Sequence, residues 1–105
     1  MLWAISRVAA PDFGARREQA LQPHIDYLRS HLAACQQAIS DGVDLLGYCA
    51  WSFTDILSWL NGYQKRYGFV YVDRDEQDCR SLQRIRKDSF YWYQRVIASG
   101  GACLD

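Results

Sequence analysis

The chain has 105 residues, room for one compact domain and well short of the roughly 250 typical of a complete eightfold α/β barrel. Half of the residues are hydrophobic and 14% are aromatic, which excludes a chain disordered by composition. Twelve basic and twelve acidic residues cancel, so no global charge points to nucleic acid or to an anionic membrane.

Met1 to Gln22 shows no sustained period and is punctuated by Pro11-Asp12-Phe13-Gly14 and Pro23. At most a short helix near Arg16 to Leu21 is expected there, with Arg16-Arg17-Glu18 solvated. From His24 the pattern sharpens. Ile25, Leu28, Leu32, Cys35 and Ile39 recur at spacings of three and four, the apolar stripe of an α-helix. The spacing predicts a helix from His24, with Gly42 just past its end as a left-handed cap. Val43 to Trp51 is short and largely apolar, as a parallel strand buried on both faces would be. Helix, short joint and buried strand make half of a βαβ unit.

Thr54 and Asp55 are placed to cap a short helix through Trp59, and Asn61-Gly62 signals a turn. Phe69 to Val72 is β-rich, and Asp73 to Asp78 reads as a polar turn. Asp88-Ser89 can N-cap a helix through Ile97, with Phe90, Tyr93 and Ile97 inward and Gly100-Gly101 ending it. Trp92 and Tyr93 read as core side chains rather than ligand contacts.

The stretch with most chemistry is Trp51 to Phe69, where the expected strand gives way to a loop. In an α/β barrel that is the catalytic rim. A hydroxyl (Ser58), an ammonium (Lys65) and a phenol (Tyr67) accompany two indoles (Trp51, Trp59). The first three suit a phosphate group, and indole faces suit the apolar face of a sugar ring. On residue types alone an ordinary surface loop fits as well.

Other clusters carry less. Cys35, Cys49, Cys79 and Cys103 lie far apart without CxxC spacing, so zinc ligation has no support. No segment reaches the length of a membrane span, and Met1 to Ala10 is too weakly apolar for a secretory signal. A soluble, reducing, cytoplasmic chain is expected, with Cys35 and Cys49 as small core residues. His24 and His31, seven apart, fit a solvated helix face better than a metal pair. Arg80, Arg84, Arg86 and Lys87 fit a solvated basic run. Asp73, Asp75, Glu76 and Asp78 lack the loop glycine and distal glutamate of an EF-hand. No metal or other cofactor is implied.

Several motifs, in this order, resemble the C-terminal end of glycoside hydrolase family 1. They are Ile25-Asp26-Tyr27-Leu28, Asp41-Gly42-Val43, Gly47-Tyr48, Trp51-Ser52 with Asp55, Lys65-Arg66-Tyr67-Gly68, Tyr71-Val72-Asp73, Ser89-Phe90-Tyr91-Trp92-Tyr93 and Ile97. Roughly three quarters of the chain is covered. The resemblance implies an α/β chain, the C-terminal portion of a (β/α)8 barrel. It would run through the seventh helix, the eighth strand, a rim loop with a β-hairpin and the eighth helix, incomplete as a barrel. Residues 1–23 match nothing, and residues 24–105 form the family segment. Tyr-Arg usually precedes the Ile-Asp-Tyr-Leu motif, where this chain has Pro23-His24. A truncated reading frame joined just before His24 would account for that.

Within the family, the fit is best to the 6-phospho-β-glycosidases. Relatives acting on unphosphorylated sugars usually carry a glutamate where this chain has Ser58. A carboxylate there would repel a phosphate dianion. The resemblance implies that Ser58, Lys65 and Tyr67 hold the 6-phosphate, that Trp51 lies beneath the sugar ring, and that Trp59 lies near its 4-hydroxyl. Gluco against galacto preference stays open, with the segment favouring the 6-phospho-β-glucosidase side. The family's retaining mechanism needs two glutamates about 5–5.5 Å apart. Both motifs that would carry them are missing, and the chain's glutamates are Glu18 and Glu76, neither in a catalytic context. No catalytic residue is therefore expected. Two readings follow: a segment of an enzyme hydrolysing 6-phospho-β-glycosides in carbohydrate catabolism, or an inactive relic or interaction module.

Overall fold

The computed structural model describes residues 16–105, with side chains from His24 onward; the Pro11 to Gly14 punctuation lies outside the described residues. Two helices and a two-stranded sheet follow one another as α1 (Arg16–Ser40), β1 (Val70–Val72), β2 (Arg84–Arg86) and α2 (Asp88–Ala98).

α1 starts earlier than the apolar stripe alone predicts. It runs for 25 residues and passes through Pro23, which has no N–H for the helical ladder. Its C-terminus is closed as expected. Gly42 has φ +94°, its N–H bonds to Ile39 O at 3.0 Å, and the Val43 N–H bonds to Ala38 O at 3.0 Å. This is the paired bonding of a Schellman cap. α2 ends in the same way. Gly100 N–H bonds to Ile97 O at 3.0 Å and Gly101 N–H to Val96 O at 2.9 Å.

The two helices pack on each other, and the core sits between them and β1. Ile25 and Leu28 of α1, Phe69 at the root of β1, and Trp92 and Val96 of α2 form it. Phe69 stacks on Tyr93 at 4.9 Å between ring centroids. The stripe on α1 is covered over its first half only: Leu32 and Cys35 are half-buried, and Ile39 is 54% exposed. Length explains this. At about 1.5 Å per residue the 11-residue α2 spans less than half of α1.

α2 is rotated relative to the expected face. Ser89, Trp92 and Val96 are its buried residues, Phe90 and Tyr93 are half-buried, and Ile97 is exposed. The N-cap is Lys87, not Asp88-Ser89. The Ser89 side chain turns inward to His24 instead of capping the helix.

Val43 to Trp51 departs most from expectation. It forms no strand, and Leu46 is 95% exposed. A strand needs neighbours for its backbone N–H and C=O groups, and the described residues place none beside residues 43–50. One face is nevertheless covered. Tyr48 and Ala50 pack on the helix core, while Cys49 and Trp51 between and beyond them are exposed. That alternation is the period of an extended segment. Helices on one face of an extended segment, with its edges and other face bare, are what part of an α/β barrel presents. The expected burial of Cys49 fails for the same reason. Among the described residues no helix is long and apolar enough to cross a membrane.

β1 and β2 form an antiparallel hairpin with Val70 opposite Arg86, Tyr71 opposite Ile85 and Val72 opposite Arg84. β1 is buried along its length and β2 is largely exposed. The Arg84 and Arg86 side chains are solvated, as read from the sequence, but Lys87 is not.

Core and bare face should respond differently to substitution. Trp92→Ala should lower the unfolding free energy by about 3–5 kcal/mol, whereas Leu46→Ser should change it by less than about 0.5 kcal/mol. Urea denaturation followed by circular dichroism measures both. A large loss from Leu46→Ser would mean that the 43–50 segment is buried in solution.

Candidate functional site

The loop that carries the candidate residues is rooted between two parallel segments. Residues 52–55 run beside residues 67–70. Ser52 N–H donates to Tyr67 O at 3.2 Å, Phe69 N–H to Ser52 O at 3.1 Å, Val70 N–H to Phe53 O at 3.0 Å and Asp55 N–H to Val70 O at 2.9 Å. Gly68 makes this approach possible, because a Cβ there would strike the backbone of Thr54 and Asp55. The Trp51–Ser52 peptide bond is cis.

No helix forms over Thr54 to Trp59, because the Asp55 side chain is used elsewhere. Its carboxylate is 1% exposed and lies 2.7 Å from Lys87 Nζ and 3.5 Å from Arg66 Nη1. It also accepts the Gly68 N–H at 3.0 Å. Arg66 Nη1 donates to Val72 O at 2.9 Å, Nη2 donates to Arg74 O, and the guanidinium lies 4.6 Å from the Tyr71 ring centroid. Lys87 N–H donates to Phe69 O at 2.9 Å. Burial pulls the Lys87 ammonium below its ordinary pKa, and the Asp55 carboxylate opposes that. One buried carboxylate thus joins both roots of the loop to the start of α2.

The candidate residues occupy distinct places on this frame. Ser58 and Gly62 close a tight hairpin through mutual backbone bonds of 2.8 Å, with Gly62 at φ +58° as Asn61-Gly62 predicts. The Ser58 hydroxyl accepts the Asn61 N–H at 3.3 Å. Burial alternates along the next stretch: Lys65 and Tyr67 are half-buried, Arg66 and Gly68 buried. With this period, Lys65 and Tyr67 project on the side opposite Arg66. Trp51, before the loop root, is 72% exposed, and Trp59, at the hairpin tip, is 82% exposed. Both indole faces are open to a ligand. The loop after β1 folds over the hairpin: Arg74 stacks on Tyr63 at 4.1 Å, and the Glu76 side chain lies against Gly62.

Residues 14–102 match Glycosyl hydrolase family 1. The chain belongs to this family. The match begins ahead of His24, as α1 does. Among family 1 relatives, the chain is 72% identical over 80 residues to an aryl-phospho-β-D-glucosidase of Bacillus subtilis, covering 76% of this chain and 17% of that protein. It is 46% identical over 98 residues to a 6-phospho-β-glucosidase of Escherichia coli, covering 92% of this chain and 21% of that protein. A family 1 β-glucosidase structure from Thermotoga maritima superposes with a TM-score of 0.67 at 44% identity, covering 75% of this chain and 17% of that one. The chain therefore spans about a fifth of the length of the family 1 relatives it matches. The likeness to phospho-β-glucosidases agrees with the resemblance read from the motifs.

Two further residues, near the loop roots and α2, differ from expectation. Lys87 was placed in a solvated basic run, yet it is the closest partner of Asp55. His24 was placed on a solvated face, yet it is buried, 3.2 Å from Ser89 Oγ and 5.3 Å from the Phe69 ring. An apolar stripe at three-four spacing beginning one residue later was the available signal for His24. His31 remains half-exposed on α1, its Nδ1 donating to Tyr27 O at 2.7 Å.

His24 sets a pH dependence. Burial, with Lys87 adding to it, lowers its pKa from 6.5 to about 4. Between those values the unfolded chain binds a proton that the folded chain does not. The contribution of His24 is complete above pH 6.5 and falls as the pH drops towards 4, by roughly 3 kcal/mol at most. His24→Gln should flatten the acid limb of a plot of urea midpoint against pH in that window. An unchanged limb would show that another group is responsible.

Proposed function

We propose that this chain is the segment of a family 1 phospho-β-glucosidase that holds the glycone and its 6-phosphate. Ser58, Lys65 and Tyr67 bind the phosphate, Trp51 supports the sugar ring and Trp59 lies near the 4-hydroxyl. The observation carrying this reading is Ser58. It puts a neutral hydroxyl, not a carboxylate, on a rim loop that also carries Lys65 and Tyr67. Its relatives' names agree, since they include aryl-phospho-β-D-glucosidase and 6-phospho-β-glucosidase. A phosphate dianion gains charge-assisted hydrogen bonds from an ammonium and two hydroxyls, and would be repelled by a glutamate. Four free thiols suit a reducing cytoplasm, where we place the reaction.

In the whole enzyme this segment orients the substrate, and the two glutamates of a retaining mechanism come from elsewhere in the barrel. The chain itself offers Glu18 and Glu76. Glu18 lies on α1, and Glu76 is exposed and rests against Gly62. A chain without the carboxylate pair binds and does not hydrolyse.

Titration of the chain with glucose 6-phosphate and with glucose, followed by NMR, tests the binding. Glucose 6-phosphate should bind more tightly, and Ser58→Glu should weaken it by at least about tenfold through like-charge repulsion without weakening glucose. Equal affinity for the two sugars would overturn the phosphate reading. A chromogenic 6-phospho-β-glucoside should show no turnover; turnover abolished by changing Glu18 or Glu76 would overturn the division of roles.

A further inference from the structure

We infer that Arg66 is the positioning residue of the phosphate site: anchored from behind, it fixes the backbone from which Lys65 and Tyr67 project. The inference rests on the phosphate reading above and adds the element that holds the site in register. Three observations carry it.

First, Arg66 stands between the two candidate phosphate ligands and is itself buried, so it faces away from any ligand they hold. Second, its guanidinium is held from four sides. Val72 O and Arg74 O accept from it, Asp55 pairs with it, and the Tyr71 ring lies beside it. A planar fork with fixed donors transmits orientation to its own backbone better than a flexible ammonium does. Third, the anchor points lie on other elements. Val72 closes β1, Arg74 lies in the following loop, and Asp55 lies on the opposite root and is fixed by Lys87 at the start of α2. The backbone on either side of Arg66, which carries Lys65 and Tyr67, is then held relative to β1. The buried group also carries one carboxylate against two cations, an excess positive charge behind a site for an anion.

Arg66→Lys keeps the charge and removes the fork. With the chain otherwise unchanged, this substitution should weaken glucose 6-phosphate by about tenfold while the affinity for glucose stays the same. A purely structural role would lower both in proportion to the folded fraction, so the ratio of the two affinities is the deciding readout. Tyr71→Leu leaves the guanidinium in place but removes the ring beside it, together with the hydroxyl bond to Asp73, and should give a smaller loss in the same ratio, about threefold. It decides the matter if Arg66→Lys does not fold by circular dichroism. If the unaltered chain does not prefer glucose 6-phosphate, the phosphate reading itself fails. If it does, and the affinity ratio survives in the folded variants, Arg66 plays no positioning part.

Discussion

The carboxylate of Asp55 is the constraint on which the site depends. It sits nearly out of reach of water between an ammonium and a guanidinium, and it takes a backbone N–H as a third partner. An isolated carboxylate at that depth would cost several kcal/mol of desolvation, and only close, well-directed cationic partners offset it. Asp55 and those partners come from three parts of the chain that share no secondary-structure element. The group therefore specifies geometry more than it adds stability. It brings residues 52–55, 66–68 and 87 to one point, and the rim loop must leave and return there.

This arrangement separates the support from the loop it carries. The helix layer and β1 bury Phe69, Trp92, Leu28 and their neighbours, and they supply the hydrophobic stabilisation. The polar group sits above that core and aims the loop. Lys65 and Tyr67, two of the residues proposed to meet a phosphorylated sugar, project on the other side and are half-buried. The bare face of residues 43–47 belongs to the same picture: the helices cover one side of an extended segment, and about four fifths of the length of the matched family 1 relatives has no counterpart in the chain.

Much of the frame was legible in the sequence, and for local reasons. Gly42 and Gly100 mark helix ends because left-handed backbone is cheap only without a Cβ. The stripe from Ile25 identifies α1, and Phe69 to Val72 identifies β1. What was not legible depended on distant partners. Lys87 looks like its neighbours Arg84 and Arg86 until Asp55, 32 residues away, is brought beside it. β2 is three residues with outward charges and exists only because β1 pairs with it. α2 carries apolar side chains on several faces from Phe90 to Ile97, so periodicity alone could not choose its buried one. Val43 to Trp51 has the composition of a buried strand, but a strand is a property of pairs of segments. The chemistry at Ser58, Lys65 and Tyr67 became specific only through the resemblance to a family, since the same residue types populate ordinary loops.

Asp55 and Lys87 are coupled across the fold. A double-mutant cycle with Asp55→Asn and Lys87→Met, read as unfolding free energy in urea, measures that coupling directly. Each single change should be costly, because it leaves a buried polar or charged partner in an apolar setting. The double variant should recover much of the loss, with a coupling energy of about 1.5 kcal/mol or more. Additive losses, with no coupling, would contradict it.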